Sequence, residues 1–277
     1  MQEIIKNNIN RANLIRVNLK DANFKRFNLI GIDLREADLK ESNFEGSNLL
    51  GANIEGANLQ WTNLREANLK WTNLKKANLE GAKLIEANLI NANLEGANLE
   101  EANLEEANLG GANLREANLK WTNLEKANLE GTNLVGANLE KANLINVNLE
   151  GANLEEASLE EANLVGANLR EANLKWTNLK KANLEGTNLV EANLEKANLV
   201  GANLQWLYLK GINLKEADLE GANLEGANFE AAFLGETYGL SLDQLSKVKT
   251  LYDTKLDEKL LIPLKETYPT LFEEPNE

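Results

Sequence analysis

The sequence predicts an all-β protein: a closed coil of parallel strands, a solenoid, finished by a short α-helical cap. Three observations carry this. From Ile9 to Leu234 every fifth residue is Leu, Ile or Phe, 46 positions without a break. Two residues before each stands a small or apolar side chain, mostly Ala, and between the two stands mostly Asn. At residue 235 the repetition gives way to a stretch of different composition. Residues 1–234 are therefore read as the coil and 235–277 as a helical cap and tail.

The unit A-N-L-x-x fits neither regular period. A helix repeats its apolar residues at about 3.6 and a flat strand at 2. Within one unit, however, Ala and Leu are two apart and share a face of an extended segment. The two residues that follow are Glu, Lys, Gly or Trp, and must turn the chain. Each unit is thus one short side and one corner, and a stack of sides encloses Ala and Leu. Neighbouring turns then pair as parallel strands about 4.8 Å apart. No Asn-Gly pair occurs, so the strongest hairpin signal is missing, which favours winding over folding back. Glycines such as Gly96, Gly136 and Gly166 fall at corners, where a permissive backbone is useful.

The whole run from Ile9 to Leu234, with stretches such as ANLEGANLEEANLEEANLGGANL at 92–114, resembles the pentapeptide-repeat family. The resemblance implies a right-handed, four-sided (quadrilateral) parallel β-helix with twenty residues per turn. At four units per turn the 46 units make about 11.5 turns, roughly 55 Å of coil at the β spacing. A step of twenty has some support in the charges. The column Arg35, Glu55, Lys75, Glu95, Arg115, Val135, Glu155, Lys175, Glu195, Lys215 alternates in sign wherever it is charged, which favours adjacent strands. A column through Lys20 and Lys40, and through Glu80 and Glu100, does not.

A solenoid needs both ends closed, because a terminal coil exposes apolar side chains and unpaired strand edges. Near the start, Phe24, Phe27, Ile32 and Phe44 replace the usual Leu and Ala and can fill the first turns. Beyond 235, Ser241 followed three residues on by Gln244 is a capping box, and Leu242, Leu245 and Val248 follow at helical spacing. A second helix is expected from about Asp257, with Leu260, Leu261 and Leu264, stopping before Pro269, with a kink at Pro263 as an option. The tail stretch LYDTKLD…YPTLF looks like tails of bacterial, notably cyanobacterial, pentapeptide-repeat proteins. The tail is read as a cap. Dimerisation through Leu242, Leu245, Val248, Leu260 and Leu264 is a further option, which leaves a monomer or a C-terminally joined homodimer.

The phrase REANLKWTNLKKANLEG stands at 65–81 and at 170–186, and again at 115–131 with Glu125 for Lys. Trp61, Trp71, Trp121, Trp176 and Trp206 all occupy the second corner position and should point outward. Exposed aromatics can mark an interface. The copies, however, are 50 and 55 residues apart, which is not a multiple of twenty. Trp71, Trp121 and Trp176 therefore fall on three different sides, and the phrase reads as duplicated scaffold rather than a ligand array. One stretch departs from the pattern, LQWLYLKGINL at 204–214. Leu207 stands where Ala is usual and Tyr208 where Asn is usual, and Trp206 is expected between Gly186 and Gly226. Trp206, Leu207 and Tyr208 form either a repacked turn or a partner-binding patch. Lys83 is read as a solvated substitution.

The composition argues against catalysis. The chain has no histidine and no cysteine, which removes the commonest general base, the commonest transition-metal ligand and every thiolate site. Ser42, Ser47 and Ser158 have no histidine to activate them. Asp33, Asp38 and Asp218 are scattered rather than spaced as a calcium loop, and no phosphate-cradling glycine motif is present. No catalytic residue, metal ligand or cofactor is expected. The net charge of −14 disfavours nucleic acid and acidic membranes as partners. No run approaches the roughly 20 apolar residues that span a bilayer, and the stretch after Met1 lacks the apolar core of a signal peptide. With the absent cysteine this fits the cytoplasm.

Two non-enzymatic functions remain. One is a structural scaffold presenting its faces to an unidentified protein partner. The alternative comes from the resemblance: some pentapeptide-repeat proteins mimic B-DNA, bind gyrase and confer quinolone resistance. Residues 1–234 hold 34 acids and 24 bases, roughly one net charge per 5.5 Å of coil against about 1.7 Å in duplex DNA. The unbroken phase also leaves no room for loops projecting from the coil. The scaffold is therefore the preferred reading. An ice-binding face is disfavoured because Thr62, Thr72, Thr122, Thr132, Thr177 and Thr187 should point inward.

Overall fold

The structure, a computed structural model, describes residues 11–274. Ile9, where the five-residue series begins, lies outside the described residues. From Asn13 to Asp218 the middle residue of every unit but that of Asn188 forms a one-residue parallel bridge with the residue twenty ahead. One turn is therefore twenty residues, four units and four sides. Two kinds of bond make each rung. The Leu N–H reaches a carbonyl in the next turn, as from Leu104 to Asn123 (2.7 Å), and the Asn N–H reaches back, as from Asn123 to Ala102 (3.0 Å). Ala and Leu point inward and are essentially inaccessible from Leu29 to Leu234, forming one uninterrupted core.

From Leu14 to Phe229 every corner but that between Leu204 and Leu207 is closed by a hydrogen bond from the residue after it to the apolar residue before it, as from Ala107 N–H to Leu104 C=O (3.0 Å). The second corner residue has φ near +60° at every corner from Arg11 to Glu236, whether it is Gly, Glu, Lys or Trp. For a residue other than Gly this backbone is unfavourable by roughly 1–2 kcal/mol. The corner is therefore imposed by the ladder and the core, not chosen by the corner residue.

The asparagines carry a role that the composition does not announce. Asn123 Oδ1 accepts from the Glu125 N–H (3.2 Å), which steers the strand into its corner. The same Oδ1 accepts from Asn143 Nδ2 (2.9 Å), and Asn123 Nδ2 donates to Asn103 Oδ1 (3.2 Å). Asparagines twenty apart thus form amide ladders along the coil. Asp in this position accepts but cannot donate; Asp38 takes a bond from Asn58 Nδ2 (3.2 Å). Replacing Asn123 with Asp is expected to weaken the fold by about 1 kcal/mol, by losing a donor and setting a carboxylate against the Asn103 carbonyl. An unchanged urea midpoint would show that the ladder contributes nothing.

The expected inward threonines are buried, and their hydroxyls are satisfied within the core. Thr62 donates to Leu39 C=O (3.0 Å) and Thr122 to Leu99 C=O (2.9 Å), while Thr132 donates to Leu129 C=O (2.7 Å). At the N-terminal end Phe24 stacks on Phe44 with ring centres 4.9 Å apart, and Phe27 meets Phe24 edge-on at 6.0 Å. The charge column is only partly realised. Lys75 pairs with Glu95 (3.1 Å) and Lys175 with Glu195 (3.2 Å). Arg35 turns instead to Asp33 (2.7 Å) and Arg115 to Glu116 (3.1 Å), within their own turns. The hydrogen bond from Arg35 holds the Asp33 carboxyl below its ordinary range. All these groups are solvated, so each pair contributes little.

The coil register continues past 234: Tyr238 bridges Asp218. Helix α1 (Leu242–Leu245) starts in the expected capping box, with Gln244 N–H on Ser241 Oγ (3.2 Å) and Ser241 N–H on Gln244 Oε1 (3.0 Å). It lasts only four residues and does not reach Val248. The reason is tertiary: the chain rejoins the ladder, with Thr250 bridging Asn228 and Lys255 bridging Phe233. Helix α2 (Glu258–Thr267) runs on through Pro263, and a 3₁₀ turn follows at Pro269–Phe272. Leu245, Val248, Leu251, Leu260 and Leu264 are buried against the last coils. Leu242 is not among them; it is 41% exposed.

Candidate functional site

The outer surface is built from corner residues and from the Asn ladders. Among the described residues no group of three or more His, Cys, Asp or Glu is placed to hold a metal ion, and no helix is long and apolar enough to cross a membrane.

All five tryptophans are exposed at corners. With twenty residues per turn, Trp61 and Trp121 share a corner and the other three take the remaining three. Two of the indoles have room because a glycine stands twenty residues ahead. A Cβ on Gly81 would overlap the Trp61 ring, and one on Gly226 would overlap that of Trp206. Trp176 has Lys196 Nζ over its face at 4.5 Å, and Lys120 lies over Trp121 at 4.5 Å. Trp206 leans on Gly226, and Gly186, twenty residues before it, lines the same cleft as the indole.

One rung is missing. Every bridge from Asn13–Asp33 to Asp218–Tyr238 is present except that between Asn188 and Tyr208. In the register held elsewhere, Leu189 N–H would reach Tyr208 C=O, Tyr208 N–H would reach Thr187 C=O, Gly186 N–H would reach Gln205 C=O, and Glu191 N–H would reach Lys210 C=O. None of these four bonds forms. A cleft of about 330 Å³ opens there, lined by Gly186, Thr187, Asn188, Trp206, Leu207 and Tyr208. Trp206 is 71% and Tyr208 50% exposed at its edge.

Loss of the Asn amide does not by itself break a rung. Lys83 and Ser158 also lack the amide, yet each keeps its rungs on both sides, and Phe233 still bridges Asn213. Leu207 points into the core where other units place Ala, and is 2% exposed. Ile212 follows it inward on the next side of the same turn, and Phe229 lies in the turn above. Too much volume at one level forces backbone apart, since packed interiors have little free space. Of the three residues singled out by sequence, Trp206 and Tyr208 therefore face outward while Leu207 acts from inside. On the opposite wall Gly186 was expected beside Trp206, but Thr187 and Asn188 were not placed there. Counting back twenty from Tyr208 would have found them. Beside the cleft, Lys210 is tied to Glu230 (2.6 Å), which raises its pKa.

This architecture defines a class, a quadrilateral solenoid of five-residue units. The family model for pentapeptide repeats matches overlapping stretches that together run from 12 to 235, and the chain belongs to the pentapeptide-repeat family, with its right-handed β-helix. Among solved structures, HetL from the cyanobacterium Nostoc sp. strain PCC 7120, involved in heterocyst differentiation regulation, is 32% identical over 83% of this chain and 89% of its own, with a TM-score of 0.35. Trypsin-treated QnrB1, a plasmid-mediated fluoroquinolone resistance protein, is 22% identical over 70% of this chain and 91% of its own, at a TM-score of 0.30. Rfr23 from the cyanobacterium Cyanothece 51142 is 41% identical over 38% of this chain and 60% of its own, at a TM-score of 0.19. No significant match is found among curated proteins.

Proposed function

We propose that the chain is a non-catalytic, cytoplasmic scaffold that presents the sides of a continuous coil to a protein partner. The observation that carries this reading is the ladder itself. Pairing runs from Asn13 to Tyr238 with one missing rung, so the outer residues are held on a regular frame. The absence of histidine and cysteine supports the non-catalytic part, and the absence of cysteine also suits a reducing cytoplasm. The charge of −14 favours protein over nucleic acid or an acidic membrane. Burial of Leu245, Val248, Leu260 and Leu264 within the chain favours a capping tail and a monomer over a tail-mediated dimer.

The gyrase-binding alternative has less support. Lys and Glu on the outer surface pair from turn to turn, as in the half-buried Lys120–Glu140 (3.1 Å). Alternating charges about 4.8 Å apart largely cancel beyond the roughly 8–10 Å over which salt screens a field. Full-length protein used as bait in the source lysate is expected to retain one protein in stoichiometric amount after nuclease treatment. It is also expected to leave gyrase supercoiling unaffected at equimolar concentration and low salt. Recovery of nucleic acid or lipid alone would reject the scaffold reading, and clear gyrase inhibition would put the DNA mimic in its place.

A further inference from the structure

We infer that the cleft at Asn188 and Tyr208 is a docking site for an extended peptide segment of a protein partner, held by backbone pairing to the interrupted ladder. This rests on the reading of the coil as a protein-binding scaffold. The chemistry comes from what the missing rung leaves open. Leu189 and Tyr208 present N–H groups, and Thr187 and Tyr208 present C=O groups, none with a backbone partner across the gap. Buried backbone groups are almost always paired, and a strand edge left open inside a protein wall offers the alternation of donors and acceptors that a peptide strand satisfies. The rungs above and below are intact: Asn168 bridges Asn188 and Tyr208 bridges Asn228. The two walls are thus held in extended form, and little ordering is left to do on binding.

The side chains around the gap suit the same occupant. Trp206 and Tyr208 stand at one edge, largely exposed, as aromatic platforms for side chains of the incoming strand. Gly186 contributes no side chain on the opposite wall, so a backbone can approach closely there. Glu185 and Glu191 flank Asn188 and are exposed, whereas the nearby Lys210 is neutralised by Glu230. The segment that fits is therefore extended, with basic residues flanking the paired part. One side of the coil is about three residues, roughly 10 Å at the β rise, so three or four residues can pair. The inward Leu207 keeps the site open by preventing closure of the rung.

The test is selection of phage-displayed random dodecapeptides on the full-length protein, with counter-selection on L207A/Y208N. That variant restores the consensus unit, and so is expected to fold, to close the rung and to protect the Leu189 and Tyr208 amides from hydrogen exchange. Selected peptides are expected to be rich in Lys or Arg and to shift Trp206 fluorescence, measured in a variant whose other four tryptophans are Phe. They should bind W206A and L207A/Y208N about tenfold or more weakly. N-methylation of the central peptide bonds is expected to weaken binding to the wild type by a similar factor, since it removes a backbone donor and leaves its partner in the cleft unpaired. Peptides that bind equally to L207A/Y208N would overturn the cleft while leaving the scaffold reading in place. Peptides insensitive to N-methylation, or no enrichment at all, would overturn backbone docking.

Discussion

Truncation after Leu234 is expected to leave a folded coil that self-associates through its open end. The tail does more than cover apolar surface. Its backbone completes part of a further turn. Lys247, Thr250, Tyr252 and Lys255 supply carbonyls to the N–H groups of Gly226, Phe229, Ala231 and Leu234, at 2.9–3.1 Å. In return, Lys249 and Lys255 donate N–H bonds to Ala227 and Ala232, and Gln244 Nε2 bonds both Leu219 C=O and Ala222 C=O at 2.9 Å. Over this edge lie Leu245, Val248, Leu251, Leu260 and Leu264. Removing the tail frees a ring of parallel strand edges and the last leucines at once. Because the open end has the same cross-section in every molecule, a second copy can pair with it. Light scattering after size exclusion is expected to show higher oligomers or loss to aggregate, with the β-rich circular dichroism kept. A truncated protein that stays monomeric and as soluble as the full chain would refute the capping role.

The second large effect is expected from Ala107→Leu. Ala107 is completely enclosed, with Ala87 and Ala127 in the turns below and above. Three extra carbons at this level must move backbone or adopt strained rotamers, which typically costs about 1–3 kcal/mol. The chain contains a natural counterpart in Leu207, where the same substitution accompanies the only missing rung between Asn13 and Tyr238. Val147, Ile32 and Ile212 sit in the same unit position, yet Asn148, Asp33 and Asn213 keep their bridges on both sides, so a branched side chain at Cβ is tolerated there. Leu at 107 is therefore expected to lower the denaturation midpoint and to speed hydrogen exchange at Asn108 and Leu109. Exchange confined to wild-type levels there would show that the core absorbs the volume without opening.

Much of this protein is legible one unit at a time. The spacing of two between Ala and Leu is enough to place both inside, and the spacing of five is enough to put a corner between successive sides. Hence the buried threonines, the outward tryptophans, the aromatic start and the helical tail all follow from local pattern. The physical reason is that burial and turning are decided within five residues, and the core positions are filled almost everywhere by the same two side chains. The ladder role of Asn was also encoded in every unit, but an amide hydrogen bond to a residue twenty away has no signature in composition.

What the tertiary structure alone decided is which residues meet across turns. It set the pairing of Arg35 with Asp33 rather than Glu55, the leaning of Trp206 on Gly226, and the shortening of α1 where the tail rejoins the ladder. Above all it decided that the wall opens between Asn188 and Tyr208, at the turn where Leu207 stands inside in place of Ala. Such outcomes depend on the summed volume of several turns and on competition among neighbours for the same hydrogen bonds. Both are properties of the stack, and no single unit contains them.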